Sequence, residues 1–318
     1  MIIRPSLSGL YQRNVIPPLD ISGMPTARLA YSLRKLRAAY TGYALRVRNS
    51  SGTEADVEFY NDKEVTSDSM TSAGSTLRDF CGTDAASVPK WYNQSGNTST
   101  QPGGGSWSGF PTAPDAVQTT AGRQPILMVS GTKSRNALKF ETAGGWSAYG
   151  DYFQVNQYRL PNSPDDFTLV WVGQVFDYSN AQGIIGNLDN FNDGAETIVL
   201  TNASFRLALD AHDEDSASGY PANENIMMIA SYDRDRASAL GGDGKSQMVR
   251  INGNETTKDT NEDKHIGRSD RFRIGVRKIS NSPLDGSCRE VFVWESQLSD
   301  ALQAELEKNM AVYNEINL

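Results

Sequence analysis

The sequence predicts an all-β protein, a sandwich or barrel of antiparallel strands, and three observations carry that prediction. Ten short runs between residues 137 and 294 alternate in hydrophobicity or are continuously apolar, and turn residues bound them. Asn252-Gly253, between MVRI and NETTK, reads as a two-residue hairpin turn because Asn-Gly accepts the positive φ this turn demands. The composition, 38% hydrophobic with 28 glycines in 318 residues, allows a substantial core together with many turns.

Taken in order, residues 1–26 carry Pro5, Pro17, Pro18 and Pro25 and read as an extended arm. Its apolar residues Ile2, Ile3, Leu7, Leu10, Tyr11, Val15 and Ile16 have little local structure to bury them. They either dock on another subunit or pack back along their own domain. Residues 27–318 then form one domain. Leu29, Leu33, Leu36 and Tyr40 recur at helical spacing, which predicts a helix over 26–41 with Arg28, Arg34, Lys35 and Arg37 on its polar side. After Gly42 the period changes to two, and Leu45 and Val47 alternate with Arg46 and Arg48 as in a half-buried strand.

Further strands are expected at 55–60, 137–140, 152–155, 167–175, 183–186, 196–200, 205–209, 226–232, 247–251, 271–277 and 289–294. The clearest places Phe167, Leu169, Trp171, Gly173 and Val175 on one face. A closing helix over 300–314 takes Ser299 as its cap and Asp300 at the positive end of its dipole. Leu302, Leu306, Met310 and Tyr313 make its apolar stripe.

The formal charge of −8 argues against a general nucleic-acid binder, whose footprint is basic. Cys81 and Cys288 are too few for a disulfide scaffold and read as free thiols. No run reaches the ~18 apolar residues of a membrane helix, and MIIRPSLSGLYQRN lacks the pattern of a signal peptide. The expectation is a protein made without its own export signal, with neither membrane nor nucleic acid as partner.

Four ordered blocks carry a resemblance: AYSLRKLRAAYTGYALRVRNSSG from Ala30, ADVEF from Ala55, WYNQSGN from Trp91 and QPILMVSG from Gln124. Together they resemble the amino-terminal half of the fungal α-L-arabinofuranosidase B catalytic domain, and equally a block in many bacteriophage tail and virion proteins. The resemblance covers roughly residues 27–155 and implies a concanavalin A-like (laminin G-like) antiparallel β-sandwich. Related sequences lack most of residues 98–114, a Gly/Pro-rich insertion carrying Trp107 and Phe110.

A retaining glycosidase requires two carboxylates about 5 Å apart. In the arabinofuranosidase family the resemblance places the nucleophile in a mid-chain Asp-Leu-Glu-Asn run near adjacent cysteines, and the acid in a late Gly-Gly-Asp-Asn-Ser-Asn run. Here the mid-chain run is Asn187-Leu188-Asp189-Asn190, and no cysteines are adjacent. With Arg289-Glu290 set against the late strand, Ile279-Ser280-Asn281 falls on Asn-Ser-Asn and Lys278 on the acid, so both catalytic positions read as lost.

The acidic run around His212, with Asp210, Asp213 and Asp215, lacks the spacing of a calcium loop, and His265 stands alone. No metal or cofactor is expected. The glycine clusters at 103–105 and 241–244 do not have the context of phosphate loops. Trp107, Trp146, Tyr149 and Tyr220, in or near Gly/Ser/Pro-rich turns, are the carbohydrate-binding candidates, with rim packing as the alternative.

The resulting expectation is a non-enzymatic bacteriophage virion protein on the tail, baseplate or capsid surface. It is oligomeric on the particle, attached to other virion proteins by its arm, and able to meet host surface polysaccharide. An arabinofuranosidase-like hydrolase and a free lectin are the alternatives.

Overall fold

The computed structural model describes residues 15–82, 84–97, 114–128, 136–141, 150–155, 158, 166–186, 195–209, 212–216, 218–237, 241–258, 272–278 and 281–318. Strands β1 (Leu29–Ser32), β2 (Leu45–Arg48), β3 (Glu54–Val57), β4 (Ala86–Trp91), β5 (Ala116–Val117), β6 (Ile126–Met128), β7 (Ala137–Phe140), β8 (Phe153–Val155), β9 (Phe167–Val175) and β10 (Gln182–Gly186) come first. They are followed by β11 (Ala195–Val199), β12 (Phe205–Leu209), β13 (His212–Asp215), β14 (Ile226–Tyr232), β15 (Gln247–Ile251), β16 (Asn254–Lys258), β17 (Phe272–Ile274), β18 (Val276–Lys278), β19 (Asn281–Pro283) and β20 (Gly286–Trp294). Helix α1 (Leu77–Cys81) lies between β3 and β4, and α2 (Asp300–Asn314) follows β20.

Two antiparallel ladders result. The larger runs β3-β2-β4-β5-β8-β17-β10-β11-β12-β13. The smaller runs β7-β20-β9-β14-β15-β16, with β1 on the same side of β20 as β7. β6 pairs with both β4 and β7 and joins the ladders.

One core fills the space between them. Leu169 and Trp171 of β9 and Val291 and Val293 of β20 meet Leu45, Trp91, Phe153 and Phe272 of the larger ladder. The rings of Tyr31 and Trp91 lie 5.6 Å apart, and those of Trp171 and Phe205 6.3 Å apart. The opposite side chains of the smaller ladder, among them Val170, Met227, Ile229, Phe292 and Trp294, form a second cluster under Leu306 and Met310 of α2. The layers are therefore helix, small ladder and large ladder, and the outer face of the large ladder carries the polar side chains of its strands.

Residues 29–32 correct the expectation of a helix over 26–41. They form β1, in register with β20 from Leu29↔Val293 to Ser32↔Glu290. All four are buried, Leu29 and Tyr31 toward the main core and Ala30 toward the helix layer. A strand covered on both faces is apolar on both, and a short apolar stretch of that kind matches a helical stripe as well as a strand. Arg28 and Arg34, assigned to water on the helical reading, are buried, Arg34 against Glu290 and Arg28 3.6 Å from Glu295.

The hairpin at Asn252-Gly253 has φ values of 47° and 83°, as the two-residue turn requires. Ser299 caps α2 by accepting from the Leu302 amide. The buried side of α2 also takes in Gln303, Glu307 and Asn314.

Of the expected arm, Ile2, Ile3, Leu7, Leu10 and Tyr11 lie outside the described residues. Val15 is half-buried, and Ile16 is 53% exposed while its carbonyl accepts from Asn309 of α2. From there the chain lies on its own domain. The Leu19 amide donates to the Leu36 carbonyl at 3.1 Å, Leu19 joins the second cluster, and the Trp294 indole N–H donates to the Pro25 carbonyl at 3.0 Å.

Candidate functional site

Cross-strand partners in a ladder share a face, so the registers trace one row across the outside of the larger ladder. It passes from Asp56 through Arg46, Lys90, Val117, Gln154, Arg273, Gly186 and Glu196 to Ala208. Leu45, Trp91, Ala116, Phe153 and Val155 occupy the alternate positions and point into the core, which is what sends Arg46, Lys90 and Gln154 outward. The row has two parts. Arg273 and Glu196, on either side of Gly186, are buried, whereas the stretch from Asp56 to Gln154 is partly open.

The open part is a shelf with a defined hydrogen-bond geometry. Arg46 grips Asp56 in a bidentate pair, Nε to Oδ1 at 2.7 Å and Nη2 to Oδ2 at 3.0 Å. The Tyr92 hydroxyl donates to the same Oδ1 at 2.6 Å. Lys90 Nζ lies 5.1 Å from the Tyr92 ring centre and 3.6 Å from Asp115 Oδ2, and Asp115 Oδ1 in turn accepts from the Asn93 amide. Arg48 pairs with Glu54 two residues along the same face. Tyr43 stands at the shelf's edge, 36% exposed, with its ring 6.2 Å from Tyr92 and its carbonyl accepting from the Tyr40 hydroxyl.

Burial pushes the Asp56 carboxyl up, but the hydrogen bonds from Arg46 and Tyr92, with the charges of Arg46 and Lys90, outweigh it and hold it below the ordinary aspartate value. Burial and the Asp56 charge push the Tyr92 hydroxyl well above its usual range. At neutral pH Asp56 is therefore an ionised acceptor and Tyr92 a neutral donor. An acceptor held ionised cannot act as the proton donor that glycoside cleavage requires.

Tyr220 is half-buried, edge-on to Phe205 at 5.7 Å and packed against the main core. Trp107, Trp146, Tyr149, the run 187–190, Ile279, Ser280 and His265 lie outside the described residues. Gly186, which precedes the 187–190 run in the sequence, is the last residue of β10. Glu290, aligned with the family's late strand, faces the helix layer and is bonded there by Arg34 and Asn314. Tyr43, Arg46, Asp56, Lys90 and Tyr92 were not among the candidates. The alternation of Arg46 and Arg48 with Leu45 and Val47 was their one visible signal, and the register of β4 was needed to bring Lys90 and Tyr92 alongside.

Elsewhere, a pocket of 240 Å³ opens beside α1, between Ser67, Arg78, Cys81, Asp84 and Leu127. Burial raises the Cys81 thiol, which makes it a poor nucleophile at neutral pH. No group of three or more His, Cys, Asp or Glu that could hold a metal ion occurs among the described residues. No helix among them is long and apolar enough to cross a membrane.

Solved structures of arabinofuranosidases share this architecture. One, a GH54 α-L-arabinofuranosidase soaked with a cyclic sulfate inhibitor, superposes with a TM-score of 0.58 at 12% identity over 91% of this chain. Another, an arabinofuranosidase complexed with arabinofuranosyl-α-1,2-xylobiose, gives 0.57 at 12% over the same share. The likeness is one of fold. This chain spans 63% of the length of those structures. No family model matches the sequence, and no curated protein matches it.

Proposed function

We propose that this chain is a carbohydrate-recognising β-sandwich of the concanavalin A-like (laminin G-like) kind, and that it binds glycan on the Tyr43–Tyr92 shelf without cleaving it. The observation that carries the reading is the bidentate Arg46–Asp56 pair topped by the Tyr92 hydroxyl beside the exposed Tyr43 ring. Together they offer a sugar ring charged acceptors, planar donors and an aromatic face at one place. Asp56, kept ionised by its partners, serves as acceptor and not as acid.

The setting we propose is the surface of a bacteriophage virion, on the tail, baseplate or capsid, with the amino-terminal apolar residues Ile2, Ile3, Leu7, Leu10 and Tyr11 joining the chain to other virion proteins in an oligomeric array. Its support is the resemblance of four sequence blocks to such proteins. Arabinofuranosidase-like hydrolysis is the second reading, favoured by the fold the chain shares with those enzymes.

Glycan-array binding by the purified full chain, together with an assay for sugar released from arabinosides and bacterial polysaccharide, separates the two. Binding that is lost in Tyr43→Ala, with no release, supports recognition. Release by the wild-type chain overturns it. Labelling of particles with antibody to this chain tests the virion setting on its own.

A further inference from the structure

Resting on the reading of the shelf as a carbohydrate site, we infer that its ligand class is an uncharged oligosaccharide, because Arg46, Arg48 and Lys90, its cations among the described residues, are each neutralised in place by this chain's own carboxylates. Arg46 meets Asp56 at 2.7 Å, Lys90 meets Asp115 at 3.6 Å, and Arg48 is paired with Glu54. The charges therefore cancel pair by pair. These six side chains are 16–36% exposed, so a ligand laid on the shelf touches them directly.

A sugar bearing carboxylate or sulfate would have to displace a carboxylate that is already positioned, or lie beside it and be repelled. The chain's net charge of −8 opposes the approach of a polyanion as well. A neutral polyol meets neither obstacle. Its hydroxyls donate to the remaining lone pairs of Asp56 and Asp115 and accept from Arg46 and Lys90, and a ring face covers Tyr43. The open row from Arg46 through Lys90 and Val117 to Gln154 crosses three strand spacings, about 14 Å at the usual separation, which suits a short oligomer better than one ring.

The test measures binding of the full chain to neutral oligosaccharides and to uronate- or sulfate-bearing ones of equal length, at low and high salt. Neutral ligands are expected to bind with less than about a twofold change between the salts, and anionic ones about tenfold more weakly. Asp115→Asn retains an acceptor for the Asn93 amide while leaving Lys90 without its carboxylate. It should raise affinity for anionic oligosaccharides about fivefold and make that binding salt-sensitive. Wild-type preference for anionic glycans, with steep salt dependence, overturns the inference and leaves carbohydrate recognition standing. Absence of binding to either class overturns both.

Discussion

Arg34 and Glu290, 256 residues apart in sequence, form a buried ion pair in which the guanidinium Nη2 and Nε lie 3.0 and 3.2 Å from one carboxylate oxygen. The pair holds the helix layer to the sheet. Asn314 donates to the other Glu290 oxygen at 2.7 Å, Asn309 accepts from Arg34, and the guanidinium lies 4.1 Å above the Tyr313 ring. Removing one partner leaves a charge stranded in the interior, whereas removing both does not. Glu290→Ala should therefore cost about 3–5 kcal/mol of stability, and Arg34→Met combined with Glu290→Leu should cost less than Glu290→Ala alone. Urea unfolding midpoints of the wild type and the two variants check this, and a double-variant loss as large as that of Glu290→Ala would refute it.

Asp151 carries a pH dependence of its own. Burial, followed by the nearby Glu141 charge, lifts its carboxyl to about 6 from an ordinary 3.8, while the Glu141 amide donates to it at 3.0 Å. A raised folded-state value means that the folded chain holds the proton more tightly than the unfolded one. The stability this contributes is complete below about pH 4 and is lost as pH rises through about 6. Asp151→Asn, which keeps an acceptor for the Glu141 amide, should match the wild type below pH 4 and exceed it by ~1–2 kcal/mol at neutral pH, after allowance for solvent near the carboxyl. Melting temperatures of both chains across that range decide the matter.

At the shelf, Tyr43→Ala removes the exposed ring without touching the core. Glycan affinity should fall about 5- to 30-fold, a loss of about 1–2 kcal/mol, with the melting temperature unchanged. Tyr92→Phe deletes the donor to Asp56 and should cost about 0.5–1.5 kcal/mol in stability. Calorimetric titration beside thermal melts separates the two effects. A Tyr43→Ala chain that binds as the wild type does would remove the ring from the site.

Residues 15–26 pack on the domain, through the buried Leu19 and the Pro25 carbonyl. Deleting residues 1–14 should leave the melting temperature unchanged and, on the virion reading, abolish incorporation into particles. Deleting residues 1–26 removes the buried Leu19 and the carbonyl bonded to Trp294, so the melting temperature should fall as well. Equal melting curves for the two truncations would show that residues 15–26 contribute nothing to the domain.

The sequence by itself determined the class of this protein. The two-residue period of Phe167, Leu169 and Trp171, the positive-φ dipeptide Asn252-Gly253 and the serine cap before Asp300 are local signals whose physics acts within a few residues. Local interactions need no tertiary context to be read.

Tertiary structure decided the rest. Leu29 to Ser32 looked helical because both of its faces are covered, and only the β20 strand on one side and the helix layer on the other make it a strand. Arg34 looked solvent-facing because its partner, Glu290, comes from the far end of the chain. The shelf was hidden for the same reason. Arg46, Asp56 and Lys90 come from three strands and Tyr92 from just past the end of β4, and only the ladder's register places the bidentate pair, the phenol and the ammonium on one face. Charge pairing acts through space, and the order of residues along the chain does not reveal which groups will meet.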